Sequence, residues 1–392
     1  MNRRPENGKN ALQFVLLLGL VSLFADVTYE SARSISGPYL AILGANAAAV
    51  GFVAGFGEFI GFGLRIISGI IADRTRRYWL ATIAGYTINL LAVPALALAG
   101  RWETAAILIM LERLGKAIRT PARDTLLSHA SQSMGRGWAF GLHEAMDQVG
   151  AMAGPAIVAA ILAYNGSYRY SFAVLLIPAI LSLSVLVIAR TTYPQPPDFE
   201  TSLAFSKTTN LKPLFWTYLA GVALIALGFA DFPLAAFHMK TTELVADKWI
   251  PLIYAWAMGV DAVSAILCGR IYDRKGFLVL PAMVVASACS APMIFLSGPA
   301  WLIAGTACWG IGMGALESII RAVVAEITPK DKRATGYGIF NAGFGLAWFL
   351  GSALMGILYD RSLMALAVFS AIAQLSSIPL FLSVNSQLKR LR

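Results

Sequence analysis

Apolar runs of about twenty residues recur along the whole chain, and roughly 20 such residues are what a helix needs to cross the hydrocarbon core of a bilayer. Twelve segments reach that length: 11–33, 48–71, 78–99, 104–127, 138–162, 170–189, 213–236, 249–271, 277–297, 300–323, 335–358 and 364–384. Of the 392 residues, 58% are hydrophobic and 13% charged. A water-soluble domain carries about 25% charge, so the solvent of this chain is lipid. Hydrocarbon offers the backbone no partners, and each segment must therefore satisfy its own N–H and C=O groups as a helix. The expected fold class is all-α integral membrane, with twelve transmembrane helices.

The net charge of +10 does not mark a nucleic-acid binder, because the basic residues alternate with the loops instead of forming one patch. With the N-terminus placed inside, the cytoplasmic segments hold nineteen lysines and arginines, among them Arg74, Arg76, Arg77, Arg136, Arg190, Arg270, Arg274 and Lys275. The outer segments hold five: Arg101, Arg169, Lys240, Lys248 and Arg361. This bias puts both termini in the cytoplasm, and the chain is expected to be a multi-pass protein of the cell inner (plasma) membrane. The first run follows Arg3, Arg4 and Lys9 as in a signal peptide, but no cleavage site and soluble domain follow, so it reads as a retained helix. The three cysteines, Cys268, Cys289 and Cys308, lie in apolar segments without metal-binding spacing, and no metal or cofactor is expected.

The chain is internally repeated. Phe24-Ala25-Asp26 in helix one matches Phe229-Ala230-Asp231 in helix seven. The run Phe140 to Ala145 in helix five matches Tyr337 to Ala342, including Asn341, in helix eleven, and Gly154 then falls opposite Gly351. The stretch 190–212, with Pro194, Pro196 and Pro197, reads as a cytoplasmic linker between two six-helix bundles, 1–189 and 213–392. Parallel repeats of this kind place a substrate site near the midplane between the halves.

Between helices two and three stands Gly69-Ile70-Ile71-Ala72-Asp73-Arg74-Thr75-Arg76-Arg77. Two hundred residues later Gly269-Arg270-Ile271-Tyr272-Asp273-Arg274-Lys275-Gly276 occupies the same place in the second half. These G-x-x-x-D-R loops, over nearly the whole length of the chain, resemble the major facilitator superfamily of transporters. The resemblance implies that Gly69, Asp73, Arg74 and Arg77 form a cytoplasmic gating latch, with Asp73 at a helix N-terminus and Gly69 allowing close helix approach. Gly269, Asp273 and Arg274 would form a weaker copy, since Gly276 replaces the basic tail. Gly150-Ala151-Met152-Ala153-Gly154-Pro155 resembles the first part of the helix-five motif of the family's proton antiporters. The glycines expected further on are replaced by Val158 and Ala159, and ordinary small-residue packing explains Gly150, Gly154 and Pro155 equally well.

Seven basic residues fall inside the spans: Arg33, Arg65, Arg113, Lys116, Arg119, Arg123 and Arg321. Each costs roughly 2.5–3.5 kcal/mol at the bilayer centre, so each must face the bundle interior or a wet cavity, usually paired. Glu112, Lys116, Arg119 and Arg123 step by four, three and four and share one face of helix four. Asp26, Glu30 and Arg33 share a face of helix one. Arg33, Arg65, Glu112, Arg113, Lys116, Arg119, Asp231, Asp261 and Asn341 are the expected cavity residues. Asp26 and Glu58 are the main proton-coupling candidates, with Glu30 and Glu144 in reserve, because each of the first two lies mid-segment with no basic residue one turn away on its own helix. A carboxylate in a rocking cavity alternates between desolvated and cation-paired surroundings, and its affinity for a proton alternates with them.

The reading favoured is a secondary active transporter of small organic solutes, working by alternating access as a monomer, with protons as the coupling ion and efflux by antiport as the direction. An organic-anion or sugar importer or exchanger, using Lys116, Arg119 and Arg33, stays open. A membrane-embedded enzyme or sensor is disfavoured, since no nucleophile–base motif, metal spacing or phosphate-binding loop is present.

Overall fold

The structure, a computed structural model, describes residues 4–130, 136–194, 213–328 and 333–391. Most of the expected linker, 195–212, lies outside the described residues. Among the described residues the segments fold as expected into twelve helical spans: Arg4–Ile42, Ala47–Thr75, Tyr78–Ala95, Trp102–Ala130, Arg136–Asn165, Tyr168–Thr192, Pro213–Thr241, Trp249–Lys275, Val279–Phe295, Pro299–Ile327, Arg333–Arg361, and Leu363–Leu375 continued by Ser377–Leu391. Ten are long and apolar enough to cross a membrane by length and composition. The fourth falls short because of its charges, and the ninth because it is short.

Four spans are interrupted, which the apolar patterning did not foretell. The sixth breaks at Leu175, the seventh over 229–231, the ninth at Cys289 and the twelfth at Ser376. Each break lies two to four residues before a proline: Pro178, Pro233, Pro292 and Pro379. Proline donates no N–H and its ring collides with the carbonyl four residues back, so the helical ladder is cut there. Pro38, Pro121 and Pro155 lie inside helices that continue.

By contact the chain forms two compact units, residues 1–35 with 64–202, and residues 36–63 with 203–392. The stretch 36–63, the end of helix one and the start of helix two, belongs by order to the first expected bundle and by packing to the second unit. Both units carry large apolar side chains on the outside, such as Ile67, Ile107, Ile177 and Val187 in the first and Trp256, Val263 and Ile266 in the second. This is the surface a lipid solvent requires.

Glycines set the closest crossings. In the first unit a Cβ on Gly154 of helix five would lie 2.6 Å from the Val27 carbonyl oxygen of helix one. In the second unit a Cβ on Gly351 of helix eleven would lie 2.6 Å from the Leu227 carbonyl carbon of helix seven. The repeat seen in sequence thus recurs as the same helix pair crossing at the same glycine. Gly85 and Gly115 bring helices three and four together in the same way.

Candidate functional site

The first unit gathers most of the intramembrane charge at one place. On helix one, Asp26 is 3% exposed and Glu30 is buried. The Glu30 carboxylate lies 3.8 Å from Lys116 Nζ of helix four, and the same ammonium sits 4.0 Å above the Tyr29 ring. One turn on, the Arg119 guanidinium is 1% exposed and lies between the rings of Tyr86 at 4.3 Å and Tyr29 at 5.4 Å. Its Nε and Nη1 find no hydrogen-bond acceptor among the described residues. Such a cation is tolerated in hydrocarbon because two aromatic faces and nearby carboxylates offset its lost hydration. Asp26 interacts electrostatically with Asp147, Lys116, Glu30 and Arg119.

The expected face of helix four is the one turned to this cluster, and its two ends are locked. At one end Asn89 Nδ2 donates to Glu112 Oε1 at 2.7 Å and to the Glu112 carbonyl at 3.0 Å, while Arg113 Nε lies 3.2 Å from Glu112 Oε2. At the other, Arg123 donates to Asp124 at 2.8 and 3.0 Å and to Ser22 Oγ at 3.2 Å, and lies 4.0 Å from Asp147. Lys116 and Arg119 occupy the middle.

Helix five completes the cluster through residues that sequence reasoning passed over. His143 is buried, with Nε2 3.0 Å from Ser22 Oγ and Nδ1 3.4 Å from Asp147 Oδ2. Ser22 Oγ is also 3.2 Å from the Tyr86 hydroxyl. The i, i+4 spacing of His143 and Asp147 is the signal in the sequence that could have found them. Gly150, one turn beyond Asp147, presses its backbone against Asp26: a Cβ there would lie 2.9 Å from the Asp26 Cβ. Glu144, the reserve candidate, is on the exposed side of helix five. Arg33 and Arg65 are half-buried in the same unit.

The second unit treats its acids differently. Helix seven is interrupted at Asp231, which is 1% exposed. Trp348 Nε1 donates to its carboxylate at 2.9 Å, and Ser352 Oγ donates to its other oxygen. Thus the two matched aspartates sit in unlike settings: Asp26 lies in an unbroken helix near Glu30, Lys116, Arg119 and Asp147, and Asp231 at a helix break with Trp348 and Ser352 donating to it. Asp261 is buried where helices eight and ten cross, with Gly314 packed on its carbonyl. Glu58 is buried in this unit, and Asn341 is half-buried. The polar residues expected to line one cavity therefore divide between units, and Glu58 belongs with a different set of neighbours from Asp26.

The loop motifs are partly re-read by the structure. Helix two runs to Thr75, so Asp73 lies in the last turn of helix two and not at the start of helix three. It reaches the next helix through Tyr78, whose hydroxyl donates to Asp73 Oδ1 at 3.0 Å. Arg74 and Arg77 are exposed, and the turn is made by Arg76 in the left-handed region, φ 53°. A Cβ on Gly69 would meet Pro121 at 3.5 Å, an ordinary contact, so its neighbours do not demand glycine. In the second copy helix eight runs through Asp273 and Arg274 to Lys275, with Gly276 ending it at φ 66°, and Gly269 faces open space. The side chain of Asp273 is not among the described ones. Gly150 and Gly154 have a steric reason of their own, the close crossing with helix one, and Pro155 follows inside the helix.

The family model of the Major Facilitator Superfamily matches residues 18–352 and 248–387. An uncharacterised protein of Mycobacterium tuberculosis is 41% identical over 383 residues, which is 96% of this chain and 94% of that protein. An uncharacterised MFS-type transporter of Methanocaldococcus jannaschii is 25% identical over 373 residues, covering 92% of each chain. Among solved structures, the nucleoside transporter NupG superposes with a TM-score of 0.73 at 16% identity, over 96% of this chain and 99% of that one.

Proposed function

The chain belongs to the Major Facilitator Superfamily, and from that premise we propose that it is a secondary active transporter of small organic solutes, working by alternating access as a monomer of two six-helix bundles, 1–189 and 213–392, and driven by protons. The observation that carries the coupling is the cluster around Asp26, in which a buried carboxylate shares its surroundings with Lys116 and Arg119 as well as with Glu30 and Asp147. A small displacement of helix one against helix four or five changes which charges Asp26 faces, and with them its proton affinity. Asp26 is the principal coupling residue in this reading; Glu58, with its neighbours in the other unit, is the second candidate, and Glu30 and Glu144 stay in reserve. The direction is efflux in exchange for protons, with both termini in the cytoplasm of a cell whose inner membrane holds the protein. The lead for efflux is the resemblance of Gly150 to Pro155 to the first part of the helix-five motif of the family's proton antiporters.

The test is transport by purified protein in proteoliposomes under an imposed pH gradient, screened across cationic drugs, sugars, nucleosides and organic anions. Accumulation that follows the gradient and collapses with a protonophore supports the reading. Facilitated equilibration that ignores the gradient removes proton coupling.

A further inference from the structure

Ser22, His143 and Asp147 form a continuous polar chain from helix one to helix five, and the transport reading above does not use it. His143 Nδ1 is 3.4 Å from Asp147 Oδ2, and Nε2 is 3.0 Å from Ser22 Oγ. Ser22 is saturated in either tautomer of the ring. Its oxygen accepts from Arg123 Nη1 at 3.2 Å and its third partner is the Tyr86 hydroxyl at 3.2 Å. When Nε2 carries the hydrogen, Ser22 accepts it and donates to Tyr86; when Nε2 is bare, Ser22 donates to it and accepts from Tyr86. One hydroxyl therefore supports both neutral forms of the imidazole, which a purely structural contact does not require. Asp147 Oδ1 is buried without a donor among the described residues, so the carboxylate keeps an acceptor position open. Asp147 interacts electrostatically with Asp26, and Gly150 holds the helix-five backbone against Asp26 one turn away.

We infer that His143 and Asp147, with Ser22, are the port through which Asp26 exchanges its proton with the end of helix five that begins at Arg136. This rests on the proton-coupled reading. In the release direction, Asp26 gives its proton to the Asp147 carboxylate, and Asp147 passes it to His143 Nδ1. The imidazolium so formed loses the proton on Nε2 through Ser22 to water. One proton is lost overall and only O–H and N–H bonds change: Asp26 ends as a carboxylate, Asp147 is again a carboxylate, and the imidazole is again neutral, now as the Nδ1–H tautomer that Ser22 also supports. The groups facing the relay are Asp26 and Glu30 from helix one, Tyr86 from helix three, and Lys116, Arg119, Arg123 and Asp124 from helix four.

The experiment is a pH-jump infrared measurement on the full-length protein in lipid nanodiscs, reading the carboxyl band of Asp26, assigned by its loss in Asp26→Asn. In His143→Gln the band is expected to reach the wild-type amplitude about a hundredfold more slowly, the scale of a lost acid–base step. An unchanged rate overturns the inference. So does loss of the amplitude, which would make His143 a strut that holds Asp26 in place. Ser22→Ala leaves the His143–Asp147 contact intact and gives an independent reading: a slowed rate supports the port, and the wild-type rate rejects it. If wild-type protein shows no Asp26 band at any pH, the coupling role of Asp26 fails, and the port fails with it. A band with an unslowed variant rejects the port alone.

Discussion

Asp360, near the end of helix eleven, accepts a hydrogen bond from the backbone N–H of Ala48 at 3.0 Å, and its other oxygen accepts from Ala47 at 3.3 Å. A side chain from the opposite half of the sequence thus completes the first turn of helix two, where free N–H groups and the helix dipole favour an anion. Asn46 caps the same turn through Ala49 at 2.9 Å. Asp360→Ala should cost about 1 kcal/mol, the usual worth of such a cap, read as a lower thermal midpoint in detergent. An unchanged midpoint would mean that Asn46 alone suffices.

Gly154 and Gly69 make a matched pair of substitutions. A methyl on Gly154 meets Ser31 Oγ at 2.5 Å and the Val27 carbonyl at 2.6 Å, so helices one and five must part. Gly154→Ala should lower stability by about 1–3 kcal/mol, the range for overpacking. Gly69→Ala meets only Pro121 at 3.5 Å and should fold as well as the parent. Equal stability of the two variants would remove the steric account of the helix-five glycines.

Asp26→Asn should abolish pH-driven accumulation while downhill exchange survives. Glu58→Gln should keep accumulation within about threefold of wild type, a difference of less than 1 kcal/mol in rate terms. The contrast follows from the charged neighbours of Asp26 and the separate placement of Glu58. The reverse ranking in a proteoliposome assay would transfer the coupling role to Glu58.

Asp73→Asn keeps an oxygen for the Tyr78 hydroxyl and should leave stability within about 0.5 kcal/mol, as for most exposed sites. Turnover should still fall roughly tenfold, the effect of ~1.4 kcal/mol on a rate, if the charge in the last turn of helix two serves as a latch. Tyr78→Phe, which removes the hydrogen bond and keeps the charge, separates the two contributions. Turnover equal to wild type in Asp73→Asn would reduce the motif to a connection.

Trp348→Phe takes the indole N–H from a buried carboxylate. The expected loss is about 1.5–3 kcal/mol, the range for hydrogen bonds to charged groups, measured by thermal unfolding alongside Ser352→Ala. A neutral result would show that the indole N–H is not needed to hold Asp231.

The twelve spans were legible because hydrocarbon leaves no alternative to a helix, and helical spacings of three and four placed Glu112, Lys116, Arg119 and Arg123 on one face. The repeat was legible too, since Gly154 and Gly351 keep the same helix pair at the same distance. What could not be read was partnership across helices. Asn89 answering Glu112, or Tyr29 and Tyr86 flanking Arg119, depends on which helices lie side by side, and a polar residue amid apolar ones looks alike wherever it points. His143 was not among the expected site residues for that reason, although its ring is turned inward to Ser22 and Asp147. The interruption of helix seven was hidden by its hydrophobicity, although Pro233 marked the spot.

That interruption also bears on how the protein is assembled. The carbonyl of Gly228 is held by Ser370 at 2.6 Å and by Gln374 at 3.0 Å, and that of Ala230 by Trp309 at 2.8 Å. These side chains belong to helices ten and twelve, which leave the ribosome long after helix seven. A chain emerging N-terminus first therefore carries helix seven into the bilayer with its severed carbonyls unclaimed, and only the last span supplies two of the three groups that claim them. A polypeptide cut short before residue 370 therefore lacks both side chains that hold the Gly228 carbonyl.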